Sequence, residues 1–338
     1  RSSHHAFPKN MMPNNVTRRD FLAAAGAAVT TVTLSSGAVP IFRNLKEPIR
    51  FGLITDLHQD LMHDGEARLD AFLAWSESVD TDCIMQLGDF AYPKEGNRAV
   101  IDKFNKARGL HVIGNHDMDA GHTNEQCVNV WGMSHRYYAH DVKGLRVLVL
   151  DGNDKGSPTH KGGYAAYVGK EQQEWLQEQL AGHAGPFLIA SHQSLCGPWA
   201  VDNAIEIQAI LSKHADKIAM CINGHDHIDL LQRVDGVCYL HVNSASYQWV
   251  GGAHKHNSYP AEIHADHPWI GHTCPYRDSV FAGLTFDPES GTITIEGRAS
   301  TWVGPSPAEL GVDTHADLTN GEEIAPRIRS RHIEKVRS

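Results

Sequence analysis

Residues 49–58 read Ile49-Arg50-Phe51-Gly52-Leu53-Ile54-Thr55-Asp56-Leu57-His58. A short apolar run ends on a carboxylate, and an imidazole follows two residues later. The same pattern recurs down the chain. Cys83–Leu87 stops at Gly88-Asp89, and His111–Ile113 stops at Gly114-Asn115-His116. Leu145–Leu150 ends at Asp151, Pro186–Ala190 at Ser191-His192, and Ile218–Ile222 at Asn223-Gly224-His225-Asp226-His227. Between these runs, Gly65–Val79, Asn97–Arg108, Lys170–His183 and Asp202–His214 carry apolar residues at helical spacing. Apolar strands bounded by helices predict an α/β fold with a buried sheet. Val237–Val242, Val280–Phe286 and Thr292–Glu296 alternate more and have fewer helices between them. They predict a second, more antiparallel sheet.

Sites in open α/β sheets lie beyond the carboxyl ends of the strands. A single Asp after a strand is usually a turn or helix cap. Five strand ends that deliver Asp56 and His58, Asp89, Asn115 and His116, His192, and His225 and His227 are a different matter. Imidazole is the commonest metal ligand, and the chain holds 23 His against 30 Lys and Arg.

Composition narrows the alternatives. The 338 residues are enough for a large core, with a soft prior of two domains. Hydrophobic residues at 41% exclude a disordered polymer. The body holds no apolar run of the roughly 18 residues that a membrane helix needs. A net charge of −10 argues against a non-specific nucleic-acid binder. Six Cys do not make a disulfide scaffold. Cys83, Cys221 and Cys238 fall in or beside strands and read as buried thiols; Cys127, Cys196 and Cys274 are candidates for one disulfide. His111, His140 and His241 lie in strand patterns and read as structural.

Taken together, Asp56-Leu57-His58, Gly88-Asp89, Gly114-Asn115-His116-Asp117, His192 and Gly224-His225-Asp226-His227 resemble the motif set of the calcineurin-like metallophosphoesterases. The resemblance implies a four-layer sandwich, two mixed β-sheets flanked by helices. It implies two transition-metal ions, with Asp89 bridging them. Asp56, His58 and His227 would complete one metal site; Asn115, His192 and His225 would complete the other. N and O donors without thiolate suit Mn, Fe or Zn. Two cations neutralise an anionic ester and generate hydroxide near neutral pH. By the resemblance, bridging hydroxide attacks phosphorus and His116 acts as general acid. Asp117 either orients the His116 ring or caps a helix.

Asp-x-His followed by Gly-Asn-His-Asp resembles the class III cyclic-nucleotide phosphodiesterase branch. Gly88-Asp89-Phe90-Ala91-Tyr92 also echoes the purple acid phosphatases, in which the tyrosine ligates iron. Here His58 already fills that position, so Tyr92 reads as a residue facing substrate or backing the ligands. The expected partner is a small phosphate ester, a diester ahead of a monoester; no nucleic-acid polymer is expected. An acid-phosphatase-like monoesterase and a non-catalytic metal-binding scaffold are the alternatives. The intact ligand set and acid histidine disfavour the scaffold. A Ser-His-Asp hydrolase would need a G-x-S-x-G elbow, which the sequence lacks.

The flanks carry other signals. Thr17-Arg18-Arg19-Asp20-Phe21-Leu22, a weakly apolar run Ala23–Leu34 and the small residues Ser36-Gly37-Ala38 follow the order of an export signal. The paired arginines resemble a twin-arginine signal, which implies a periplasmic or secreted protein with no transmembrane segment after cleavage. Residues 1–38 are therefore assigned to upstream sequence and signal, with the natural start at Met11 or Met12. Residues 48–300 are assigned to the catalytic domain and 301–338 to a polar tail. Within the domain, residues 247–278 are long, loop-like and rich in His and aromatics. They read as an insertion that forms a lid or rim. Asn153, Asp154 and His160 read as further rim residues.

Overall fold

The computed structural model describes residues 40–42 and 44–334. The export-signal reading of residues 1–38 lies outside the described residues. Among the described residues, fourteen strands form two six-stranded sheets and one two-stranded ribbon. The first sheet runs in the order β14 (Arg331–Glu334), β13 (Thr292–Glu296), β12 (Ala282–Asp287), β1 (Ile49–Ile54), β2 (Cys83–Gln86) and β3 (Leu110–His111). The second runs β4 (Tyr138–Val142), β5 (Leu145–Val149), β6 (Phe187–Ser191), β7 (Ile218–Asn223), β9 (Val237–His241) and β8 (Leu230–Val234). Both are mixed: β1, β2 and β3 are parallel and β12 joins β1 antiparallel, while β5, β6, β7 and β9 are parallel between antiparallel edges.

The period-two alternation of each strand builds the layers. Ile49, Phe51 and Leu53 of β1 join Val147 and Val149 of β5, Leu188 of β6 and Leu240 of β9 in one cluster between the sheets. Leu148 and Ile189 point outward to Leu176 and Leu180 of α4 (Lys170–Gly182) and to Ile207 and Leu211 of α5 (Ala204–Ser212). Ile54 and Ile84 point outward to Leu69 and Phe72 of α1 (Gly65–Ser78), Phe104 of α2 (Arg98–Lys106) and Trp131 of α3 (Asn124–Trp131). The order is therefore helices, sheet, sheet, helices. A four-layer α/β sandwich is what the motifs imply.

Several expectations give way. The late, alternating strands do not make a sheet of their own. β12 and β13 extend the first sheet, and β9 enters the second in parallel with β7. Residues 247–278 are not structureless: β10 (Tyr247–Trp249) pairs with β11 (Thr273–Pro275), and α6 (Ala261–Asp266) with a 3-10 turn at Pro268–His272 lies between. The polar tail supplies β14 at a sheet edge. Cys127, Cys196 and Cys274 are buried thiols outside any disulfide; Cys221 and Cys238 are buried as well, and Cys83 is half-buried. His140 is exposed on β4 rather than structural, whereas His111 and His241 are buried. No helix among the described residues is long and apolar enough to cross a membrane.

Candidate metal centre

The strand ends converge. Asp56, His58 and His227 bring one donor atom each to within 4.8 Å of one another, and Asp89, His192 and His225 do the same. Asp89 Oδ2 lies 3.0 Å from His192 Nε2 and 3.7 Å from His58 Nε2, so this carboxylate faces both groups. Asp56, Asp89 and His192 are essentially without solvent contact.

The backbone at these positions is unusual. Ten described residues other than glycine have positive φ, and five of them are Asp56, His58, Asp89, His225 and His227. Left-handed backbone is disfavoured for side chains with a Cβ and concentrates at functional sites. Short backbone bonds hold it in place: Asp56 N donates to Gly88 O at 3.0 Å, and His58 N to Asp89 O at 2.9 Å. Two glycines are required by close approach rather than by φ. A Cβ on Gly114 would strike the Asp89 backbone N, and one on Gly224 would strike Thr55 Oγ1.

Hydrogen bonds behind the ligands set their tautomers. His192 Nδ1 donates to Leu87 O at 2.7 Å and His227 Nδ1 donates to Tyr247 O at 2.7 Å. Both rings thereby turn Nε2 and its lone pair inward, as metal-bound histidines do. His58 Nε2 and both amide atoms of Asn115 are buried with no hydrogen-bond partner. Orphaned buried polar atoms are costly, and a cation coordinated there would satisfy them. The donor set of N and O atoms therefore fits two metal ions.

The electrostatics agree. Burial pushes the His58 imidazole down to about 3, which keeps its lone pair available. Burial opposes ionisation of Asp56, but His227 outweighs it and holds the carboxyl at about 2. Burial likewise opposes a charged His192, yet Asp89 prevails and lifts it to about 10. A bound cation would replace that proton between the same two atoms.

His116 stands at the edge of the cluster, with its backbone N donating to Asp89 Oδ1 at 2.8 Å. Its ring is not oriented by Asp117. The Asp117 carboxylate is turned away, accepting the backbone N–H groups of Asp89, Phe90, Ala91 and Gly114. It ties two ligand turns together. The His116 ring instead donates from Nδ1 to Asp119 Oδ2 at 2.7 Å, and Tyr164 Oη donates to Asp119 Oδ1 at 2.8 Å. Burial opposes a charged His116, and Asp89 with Asp119 outweighs it, so its pKa is raised.

Asp119 and Tyr164 escaped the sequence reading. His116 and Asp119 are three apart in a 3-10 turn, a spacing that stacks side chains on one side. That spacing was the available signal for Asp119. Tyr164 carried none, because its partners lie 45 and 48 residues away.

A cavity of about 490 Å³ opens above the cluster. His58, Asp89, His116, His225 and His227 form its floor. Tyr92 lines it without belonging to either donor group, and burial raises its hydroxyl to about 12. Leu61, Tyr247, Trp249 and Trp269 form an apolar and aromatic wall, and Tyr164 also lines the cavity. Asn153, Asp154 and His160 do not line it. Asn153 is engaged by Asp151 and Gln193, and Asp154 by Gly169 and Arg136.

The last ligand turn is braced from afar. Asp229, fully buried two residues past His227, accepts from Arg329 Nε at 2.7 Å and from Arg331 at 2.6 Å.

No curated protein gives a significant match. Among solved structures, a dimetal phosphatase from Danio rerio is similar at 14% identity and TM-score 0.51, covering 75% of this chain and 98% of that one. GAP50, the anchor in the inner membrane complex of Plasmodium, is similar at 13% identity and TM-score 0.52, over 77% and 86%. These likenesses support the fold. A family model described as calcineurin-like phosphoesterase matches residues 49–229, the stretch that carries every proposed ligand. With two facing donor groups on the strand ends that this match spans, the chain belongs to the calcineurin-like phosphoesterase family and is a metal-dependent phosphoester hydrolase.

Proposed function

We propose that this hydrolase prefers phosphodiesters to phosphomonoesters. The lining of the cleft carries this reading: among the described residues it contains no Lys or Arg, while Leu61, Phe90, Ala91, Tyr247, Trp249 and Trp269 are apolar or aromatic. A monoester dianion calls for cationic side chains beyond the metals. A diester has a single charge and a second organic arm, which matches a cleft whose described lining has no Lys or Arg and whose wall is aromatic.

Two Mn, Fe or Zn ions, held by Asp56, His58 and His227 on one side and Asn115, His192 and His225 on the other with Asp89 shared, would neutralise the phosphoryl oxygens and make water nucleophilic. The chain's own residues do the rest. His116 gives its Nε2 proton to the departing alkoxide, since Nδ1 is committed to Asp119. Asp119 and Tyr164 hold that ring towards the cleft. Asp117 keeps the Asp89 turn against the Asn115 turn, which sets Asn115 beside the shared carboxylate.

The test is the rate of the Mn-loaded protein on bis-p-nitrophenyl phosphate beside p-nitrophenyl phosphate, with Asp89→Asn as control. The expected result is a higher kcat/KM on the diester, abolished in the control. A monoester preference would overturn the reading and move the chain towards acid-phosphatase chemistry, with Tyr92 the next residue to change.

For location, we propose export to the periplasm or beyond, on the strength of Arg18-Arg19 and the weakly apolar run after them. Replacing both arginines by Lys should hold the protein in the cytoplasmic fraction.

A further inference from the structure

We propose that Trp249 and Trp269 form a stacking platform for a flat, unsaturated group on the non-leaving arm of the substrate. This rests on the reading that a phosphate ester occupies the metal floor.

Five large hydrophobic side chains are exposed among the described residues, and three of them, Tyr164, Trp249 and Trp269, line this one cleft. Trp249 is 45% exposed and Trp269 58%. Large rings left half in water beside a catalytic floor mark a binding surface. The two indoles lie 6.5 Å apart between centroids and are tilted by 32°. A third ring seated against both would be at ordinary aromatic-pair distances of about 4.5–7 Å.

The platform is rigid. Trp249 is in β10, in register with Thr273 of β11. Val250 N donates to His272 O at 2.9 Å, and Thr273 Oγ1 to Ile270 O at 2.9 Å. The His272 ring lies 5.8 Å from Trp249 and 4.9 Å from Trp269. Beneath them Met62, Tyr247 and Ile270 form a buried cluster. A surface held in place beforehand loses little entropy on binding. β10 also begins at the residue whose carbonyl accepts from His227, so the platform is tied in register to the metal floor.

The partner is flat rather than cationic. An aromatic cage for a quaternary ammonium would gain from a free carboxylate; of those that line the cleft outside the two donor groups, Asp117 accepts backbone N–H groups, Asp226 is paired through Oδ2 with buried His241, and Asp60 and Asp119 are committed too. Asp60 is paired with Lys94, with Asn97 and with the Tyr92 N–H. Asp119 is held by His116 and Tyr164.

The experiment compares two diesters with one leaving group, thymidine 5′-(p-nitrophenyl) phosphate and methyl p-nitrophenyl phosphate, on wild type, Trp249→Ala, Trp269→Ala and Trp269→Phe. Trp199→Ala, exposed but outside the cleft, is the control. Base stacking predicts a preference for the thymidine ester of about five-fold to a hundred-fold in kcat/KM. That preference should fall towards unity in each alanine variant, recover in Trp269→Phe and stay in Trp199→Ala. An equal rate on the two esters, or a preference that survives both alanine substitutions, overturns the platform. If neither ester is hydrolysed, the functional reading has failed separately. Calorimetry with thymidine 5′-methylphosphonate against methyl methylphosphonate then decides the platform by the same ratio of Kd values.

Discussion

The floor and the wall of the cleft are built by opposite means. The floor hangs from strand ends, and its ligands sit in left-handed backbone held by bonds to neighbouring turns. Each ligand is fixed by the sheets, so the floor has no independent existence. The wall is a ribbon and three short helical turns standing on a small core of Met62, Tyr247 and Ile270. The contrast separates two jobs. Chemistry depends on atoms placed to a fraction of an ångström, which only the main core can enforce. Selection of an organic arm needs a surface, and this one stands on a small core that meets the floor at Tyr247, whose carbonyl accepts from His227.

The sharpest way to break this comparison is at Asp89, which faces both donor groups. Asp89→Asn should reduce turnover of every ester by about a thousand-fold or more, since the step that the two metals support is lost. Metal analysis should show fewer than two ions per chain; two retained ions with near-normal rates would remove Asp89 from its shared role. Next comes the brace behind the floor. Arg329→Ala with Arg331→Ala leaves the buried Asp229 carboxylate unpaired, at a cost of about 3–5 kcal/mol. Thermal melting should show the loss and metal content should fall with it. A melt shifted with metal content unchanged would show that the brace serves only the sheet edge.

Ile270→Ala acts on the wall alone. Removing this fully buried side chain should cost about 2–5 kcal/mol of local stability, raise KM for diesters with an aromatic arm and leave the two metals in place. Loss of metal in this variant would mean floor and wall are one unit after all. The smallest effect is expected at Asp119. Asp119→Asn should slow alkyl leaving groups about tenfold and p-nitrophenyl esters hardly at all, because only a poor leaving group needs a well-aimed acid. An equal loss on both would make Asp119 a packing residue.

Much of the floor was legible because it is local. A strand, a turn and a ligand lie within a few residues, so Asp56, Asp89 and His192 could be named from apolar runs and their ends. Helix α1 was read to within a residue of its end. What escaped was non-local or lay in weak patterns. Sequence leaves adjacent Asp117 open between orienting the His116 ring and capping a helix, whereas the turn geometry delivers Asp119 as the partner. β14 was read as tail because one of its four residues is buried, leaving no apolar run to see. The insertion looked like loop because its apolar residues are spaced for a small separate core rather than for one face of a strand or helix. The late strands were grouped together because sequence shows alternation but not which sheet edge a strand joins.

The Asp229 brace has a consequence for the order of folding. Its partners lie 100 and 102 residues further along the chain. Contacts this distant close large loops and form after the local ones. The turn carrying His225 and His227 therefore gains its backing only once the first sheet has accepted its outermost strand. Metal capture, which needs every ligand at once, is then a terminal event of folding and reports on its completion.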